Sequence, residues 1–246
     1  MTNASHYDYA IDPKGNSTAN KILKWIGHNQ HVLELGTAAG VMTRAIKAQG
    51  CTVTGVEFMP DMAELAAPDC ERMIVGDLEQ LDFRTTFCTE RFNVIVAADV
   101  LEHLRDPWSL LEQAHQIIDP NGYLVLSIPN VGHAAIVAGL LNGHFDYREK
   151  GLLDHTHLRF FTRKGIEDML LTTGWLPIAW DSHRVAPLDS EFAHHWQAQP
   201  AEQRLAIGQH PDSDIYQFIV KAAPASEIGW QQRLQIRIQE LTDKSQ

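Results

Sequence analysis

Cysteine is scarce in this chain. Of 246 residues, only Cys51, Cys70 and Cys88 carry a thiol, and their spacing matches no metal ribbon or redox motif. That excludes a disulfide framework, and reduced thiols are expected. Basic residues are also few: 20 Lys and Arg against 31 Asp and Glu leave a net charge of −11. No basic run is present to neutralise phosphates, which argues against a nucleic-acid partner. No apolar stretch is long enough to span a bilayer. The segment from Met1 to Ser17 is polar, without an apolar signal core. A cytoplasmic protein with no membrane partner is therefore expected. Internal repeats and low-complexity segments are absent. What remains is a 44% hydrophobic composition, enough for a substantial core in one large domain.

The stretch that carries most information is His31-Val-Leu-Glu-Leu-Gly-Thr-Ala-Ala-Gly40. An apolar run, Val32 to Leu35, ends in a turn of small residues, and an amphipathic pattern follows from Val41 to about Gln49, with Gly50 as its stop. Strand, tight loop and helix in that order open a nucleotide-binding α/β domain. Glycines there let backbone approach a ligand and turn loop amides toward it. The spacing is E-x-G-x-A-x-G, which departs from the dinucleotide pattern G-x-G-x-x-G. With Glu34 at the strand end, it suits a cationic or zwitterionic nucleoside better than a pyrophosphate.

Alternating elements continue along the chain. Helices are expected over Asn16 to Ile26 with Ser17 as N-cap, Pro60 to Ala67, and Pro107 to Ile118 with Asp106 as N-cap. Strands are expected at Thr52–Glu57, Arg72–Val75, Phe92–Ala97 and Tyr123–Ile128, with Pro120-Asn-Gly as a turn. The nearly all-apolar fourth strand reads as central and covered on both faces. Residues 130–160 and 181–213 read as insertions. The first holds a short helix, Ala134 to Leu141. The second carries His183, His194, His195 and His210, without tight ligand spacing and expected in loops. Thr162 caps a helix through Thr172, and Trp175–Trp180 and Ile215–Val220 supply strands six and seven. This predicts one domain over 1–223, a doubly wound, seven-stranded, mostly parallel sheet with an antiparallel last strand and helices on both faces. A helical tail, 224–246, sets Trp230, Leu234, Ile238 and Leu241 on one face and offers a homodimer contact.

In such sheets ligands bind at the carboxyl ends of the strands. With those ends aligned, the chain resembles a class I S-adenosylmethionine-dependent methyltransferase from about Lys21 to Trp180. The small-molecule and glycan O-methyltransferases, including those of ubiquinone biosynthesis, are most similar in pattern. Glu34-Leu-Gly36-Thr-Ala38-Ala-Gly40 is similar to that family's E-x-G-x-G-x-G loop, with Ala38 in place of the middle glycine. The resemblance implies S-adenosylmethionine as cofactor, held by Glu34, Gly36, Thr37, Ala38 and Gly40. It implies that Glu57 accepts from the ribose hydroxyls, with Phe58 and Met59 beside it. Asp77, between Gly76 and Leu78, would accept from the adenine amino group. Ala98, Asp99, Val100 and His103 would flank the methionine part. For Asp99 a helix N-cap is the plainer alternative.

Methyl transfer from a sulfonium needs mainly proximity and exclusion of water, and a base only where the acceptor must lose a proton. Asp154-His-Thr-His157-Leu-Arg159-Phe-Phe-Thr162 resembles a stretch found in sugar and natural-product methyltransferases. His157 is the first candidate base, with Asp154 or Asp99 to orient it and His103 nearby. A purely structural role for His157 and Arg159 stands beside this. Asp99, Glu102, His103 and His157 also form a candidate divalent-metal set, because some relatives carry a similar E-x-x-E-H with a later histidine. Against it stands a hydrogen-bonded turn with His103 packed on Trp108. Tyr7 and Tyr9 are candidates for a lid. The acceptor expected is a hydroxyl of a small molecule or glycan. A protein or nucleic-acid methyltransferase, a nicotinamide enzyme and a non-catalytic cofactor-binding scaffold remain alternatives.

Overall fold

A computed structural model describes residue 11 and residues 15–225. The candidate lid tyrosines Tyr7 and Tyr9 and the tail helix with its dimer contact lie outside the described residues. The strands are β1 (His31–Leu35), β2 (Thr52–Glu57), β3 (Arg72–Val75), β4 (Phe92–Ala98), β5 (Ile118–Pro129), β6 (Trp175–Arg184) and β7 (Ile215–Pro224). The helices are α1 (Thr18–Ile26), α2 (Val41–Ala48), α3 (Pro60–Ala66), α4 (Phe83–Phe87), α5 (Pro107–Ile117), α6 (Ala134–Leu141), α7 (Arg163–Thr172), α8 (Ala193–Ala198) and α9 (Ala201–Gly208). One sheet runs β3-β2-β1-β4-β5-β7-β6. Strands β1 to β5 pair in parallel, and β7 is antiparallel to both of its neighbours. The predicted fold class is the one observed.

Alternation along the strands explains why both faces are apolar. Leu33, Leu35, Ile95 and Ala97 point to one face, where helices α4, α5 and α7 close the larger core. Val32, Val94 and Val96 point to the other, against α1 and α2. Side chains alternate across a pleated strand, so a strand covered on both sides must be apolar throughout. Each fully buried aliphatic contributes about 1.5–3 kcal/mol. A third cluster, including Ile136, Leu152, Leu153 and Phe192, joins segments 130–160 and 181–213.

The helix starts follow their caps. Ser17, Asp106 and Thr162 accept from the backbone N–H groups of Asn20, Ser109 and Gly165, each satisfying a donor the first turn leaves open. Other details differ from expectation. Helix α4 was not foreseen, because five residues are too few for a helical period; Asp82 starts it by accepting from Arg84 N at 2.9 Å. The Pro120-Asn-Gly turn is a bulge inside β5, where pairing jumps from Phe92–Ile118 to Val94–Tyr123. Strands β6 and β7 each run four residues longer than predicted. Within 181–213, His183 lies in β6 and His194 and His195 lie in α8, so only His210 of the four is in a loop. Among the described residues no helix is long and apolar enough to cross a membrane.

Candidate functional site

The loop after β1 is built by backbone geometry. Gly36, Ala38 and Gly40 have φ of 73°, 45° and 78°, all in the left-handed region. A Cβ on Gly36 would lie 2.9 Å from Val100 Cγ2, and one on Gly40 would lie 2.8 Å from Ala66 Cα. Both positions therefore need glycine for space as well as for φ. Ala38 holds the same region with a methyl group, at a cost of about 1 kcal/mol. Glu57 at the end of β2 offsets this. Its Oε2 accepts from Ala38 N at 2.8 Å and its Oε1 from Met59 N at 2.9 Å. One carboxylate thus fixes the loop and the strand end together, and each oxygen keeps a lone pair.

These groups open onto a cavity of about 790 Å³. Glu34, Gly36, Thr37, Ala38, Glu57, Phe58, Met59, Asp77, Leu78, Ala98, Asp99, Val100 and His103 line it, as do Glu102, Asp154 and His157. Gly40 and Gly76 do not: Gly40 heads α2 against α3, and Gly76 N donates to the Glu57 carbonyl at 2.9 Å. Both positions shape the loops that border the cavity. Thr156, inside the Asp154–Thr162 stretch, also lines the cavity, as do Gly151, Tyr216 and Gln217, which sequence reasoning missed. Tyr216 and Gln217 come from β7, and its return beside β5 is a long-range pairing that no local pattern announces.

The lining is acidic. It includes Glu34, Glu57, Asp77, Glu79, Asp99, Glu102 and Asp154, and no Lys or Arg among the described residues. Glu34 is 3% exposed, and its Oε2 accepts from Thr43 Oγ1 at 2.6 Å. Burial pushes its carboxyl up to about 8, against the smaller opposing effect of that hydrogen bond. Asp77 folds an Asx turn, with Glu79 N at 2.9 Å from Oδ1 and the Gln80 side chain at 2.9 Å from Oδ2.

Asp99 is not a helix N-cap. Its φ is 55°, and its Oδ1 accepts from Ser127 Oγ and from Gln217 Nε2. Open to the cavity yet enclosed by protein around it, its carboxyl is held above the usual range by desolvation. A single 3-10 turn, Leu101–His103, follows it. Residues 154–159 clamp onto that turn. Leu158 N and Arg159 N donate to the Glu102 carbonyl at 2.8 and 3.0 Å, and Arg159 Nε donates to the Arg105 carbonyl at 3.0 Å. Arg159 therefore has a structural task, and Trp108 packs near it and Phe161 rather than on His103.

His103 and His157 meet edge to face at 4.8 Å. The His157 Nδ1–H donates to the Leu152 carbonyl at 3.3 Å, which leaves Nε2 as the acceptor. That carbonyl, not Asp154 or Asp99, orients the ring. Asp154 instead accepts from Thr156 N and Oγ1 at 2.8 and 2.7 Å. Burial would raise its carboxyl, but those bonds carry it below the usual range. Burial, then the neighbouring His103, lower His157 below an ordinary histidine. Glu102, 1% exposed, has no partner for either oxygen among the described residues, and desolvation pushes it well up. Glu102, His103 and His157 bring ligand atoms within 4.8 Å of one another. Asp99 is outside this group, because the left-handed turn at its own backbone directs it to Ser127 and Gln217 instead.

A family model described as a methyltransferase domain matches residues 6–178. The ubiquinone biosynthesis O-methyltransferase of Histophilus somni is 32% identical over 106 residues, covering 40% of this chain and 44% of that protein. The enzyme of the same name from Coxiella burnetii is 27% identical over 169 residues, 66% of this chain and 70% of that protein. The chain thus spans less than half of the first relative's length. Among solved structures, the CcbJ methyltransferase from Streptomyces caelestis superposes with a TM-score of 0.59 at 15% identity, covering 91% of this chain and 96% of that one. The magnesium protoporphyrin IX methyltransferase of Synechocystis, with S-adenosylhomocysteine bound, gives a TM-score of 0.56 at 14% identity, covering 85% and 82%. At these identities the structural likeness speaks to the fold.

Proposed function

The chain belongs to the class I S-adenosylmethionine-dependent methyltransferases, and on that premise we propose that it methylates a hydroxyl of a small-molecule or sugar acceptor. The observation that carries the proposal is that one cavity joins the glycine loop to the His157 ring. Its size, about 790 Å³, lies within the roughly 300–1,000 Å³ typical of small-ligand sites. A lining with no Lys or Arg among the described residues offers a pyrophosphate no cationic partner and leaves room for a sulfonium and an ammonium. The cradle left by Gly36, which a Cβ would fill, admits a ligand close to backbone.

The cofactor, when bound, supplies a methyl group on a positively charged sulfur, displaced in line by the acceptor oxygen. Glu57 would use its remaining lone pairs for the ribose hydroxyls, Asp77 and the Leu78 N–H would hold the adenine, and Asp99 would hold the methionine part. His157, neutral and oriented by the Leu152 carbonyl, takes the hydroxyl proton at Nε2. Its lowered basicity keeps it unprotonated at neutral pH. Three free cysteines with no pairing are in keeping with a cytoplasmic setting. The test is calorimetric titration of the full chain with S-adenosylmethionine, with NAD as control, followed by an acceptor screen of sugars and phenols. Saturable binding of the first ligand alone is expected. Binding of NAD instead would overturn the reading.

A second reading rests on Glu102. A buried carboxyl with both oxygens unpartnered, beside His103 and His157, fits a divalent cation. Held there, the cation would lower the acceptor hydroxyl's pKa, and His157 would be a ligand rather than the base. Full activity in excess chelator eliminates this reading; loss restored by a divalent ion supports it.

A further inference from the structure

A second cluster of metal-type ligands lies away from the cavity, where the two acceptor-side segments meet. Asp146 follows α6, and His194 and His195 stand near the start of α8. One carboxylate oxygen and two ring nitrogens from these residues lie within 4.8 Å of one another. His195 Nε2 is 2.8 Å from Asp146 Oδ2, and the rings of His194 and His195 have centroids 3.9 Å apart. A third imidazole, His144, stacks on His195 at 4.9 Å and brings its Nδ1 to 3.9 Å from Asp146 Oδ1. None of the four lines the substrate cavity.

The arrangement is set up by its surroundings. His195 is 7% exposed. Its ring lies over Gly139 of α6, where a Cβ would come 3.1 Å from His195 Cδ2. The hydrogen bond from His195 holds the Asp146 carboxyl below its usual range. Burial, then repulsion from His195, lower the basicity of His194. Neutral imidazole and ionised carboxylate are the donor forms a borderline divalent ion takes.

We propose that Asp146, His194 and His195, with His144 within reach as a fourth ligand, bind a zinc-class divalent cation. Bonds of about 2.0–2.2 Å to nitrogen and oxygen leave the exposed His194 ring the adjustment to make. The ion clasps the turn after α6 to α8, across 49 positions of chain. This clasp bears on the acceptor wall. Glu191, three residues before His194, accepts from Leu152 N at 2.9 Å and from the Tyr216 hydroxyl at 2.9 Å. Tyr216 and Gly151 in turn line the cavity.

The experiment uses the untagged full chain, stripped with chelator and titrated with Zn²⁺ alone by calorimetry. Co²⁺ is followed in parallel by its visible absorption, which reports nitrogen and oxygen ligation. His194→Ala and Asp146→Asn alter partly or fully exposed side chains, and circular dichroism checks that both remain folded. His103→Ala is the control for the Glu102 cluster. The proposal expects His194→Ala and Asp146→Asn each to lose the same one equivalent of Zn²⁺ and its Co²⁺ bands, an equivalent that His103→Ala keeps. Unchanged stoichiometry and affinity in the first two variants overturn it, as does a parent chain that binds no Zn²⁺ or loses its bound ion only through His103→Ala.

Discussion

Glu34→Gln turns a buried carboxyl into a neutral group of the same shape, one that still accepts from Thr43 Oγ1. The Glu34 carboxyl moves from 4.5 in the open chain to about 8 in the fold, chiefly through desolvation. A raised carboxyl binds its proton more tightly when folded. Its contribution to stability is therefore whole below pH 4.5 and is lost as pH rises through about 8. At 1.36 kcal/mol per pH unit, a shift of about 3.5 units corresponds to about 5 kcal/mol. Of this, about 4 kcal/mol falls between roughly pH 5 and pH 9. Glu102 and Asp99 titrate in both proteins and cancel in the comparison. Urea unfolding of the parent and of Glu34→Gln near both pH values yields the double difference. Relative to the parent, the variant should gain about 4 kcal/mol on going to the alkaline side. A stability difference that stays constant with pH would refute the assignment of a protonated Glu34 to the folded state at neutral pH.

His157→Ala should leave cofactor affinity unchanged and lower turnover by about 10²–10⁴-fold. In the parent, the lowered basicity of His157 places the acid limb of the rate profile below pH 6.5; an acid limb above that value would move the base elsewhere. Asp77→Ala should weaken S-adenosylmethionine binding by about 10- to 100-fold, the loss of a hydrogen bond to a charged group, as read by calorimetry. Equal affinity would remove Asp77 from the adenine edge. Gly40→Ala places a methyl 2.8 Å from Ala66 Cα at a φ of 78° and should cost about 2–4 kcal/mol in urea unfolding. By contrast, Ala38→Gly should stay within about 0.5 kcal/mol of the parent, because relief of strain is offset by a looser unfolded chain. A similar cost at both positions would mean that Gly40 and Ala38 do not differ in packing.

What could be read in the sequence was what local chemistry encodes. The β1 turn announces itself through Gly36 and Gly40, and β4 through an unbroken apolar run that only a doubly covered strand needs. Ser17, Asp106 and Thr162 mark helix starts because their side chains are short acceptors. The part of the cavity at the ends of β1, β2 and β4 was legible for the same reason, since it sits where strands end. The part walled by β7 was not. Tyr216 and Gln217 reach the cavity because β7 returns beside β5. Glu102 loses its solvent only when residues 154–159 fold over the turn. Likewise, His157 takes its orientation from Leu152 O, a backbone atom with no signature in side-chain type. The histidines of α8 looked unrelated to Asp146 because 48 residues separate Asp146 from His194.

Strand β7 is the last strand described and yet lies inside the sheet, between β5 and β6. Synthesis runs from the N-terminus, so during translation β5 has an open edge until residues 215–224 emerge. Among the described residues β6 pairs only with β7, so in that interval it waits for its neighbour. Exposed apolar edges of this kind invite pairing with other chains. Asn130 then becomes a docking point: its N–H donates to the Tyr216 carbonyl at 2.9 Å and its Nδ2 to the Ile215 carbonyl at 2.8 Å. A ribosome that stalls before residue 215 leaves a two-strand gap in the sheet, and Tyr216 and Gln217 join the cavity wall only when β7 arrives.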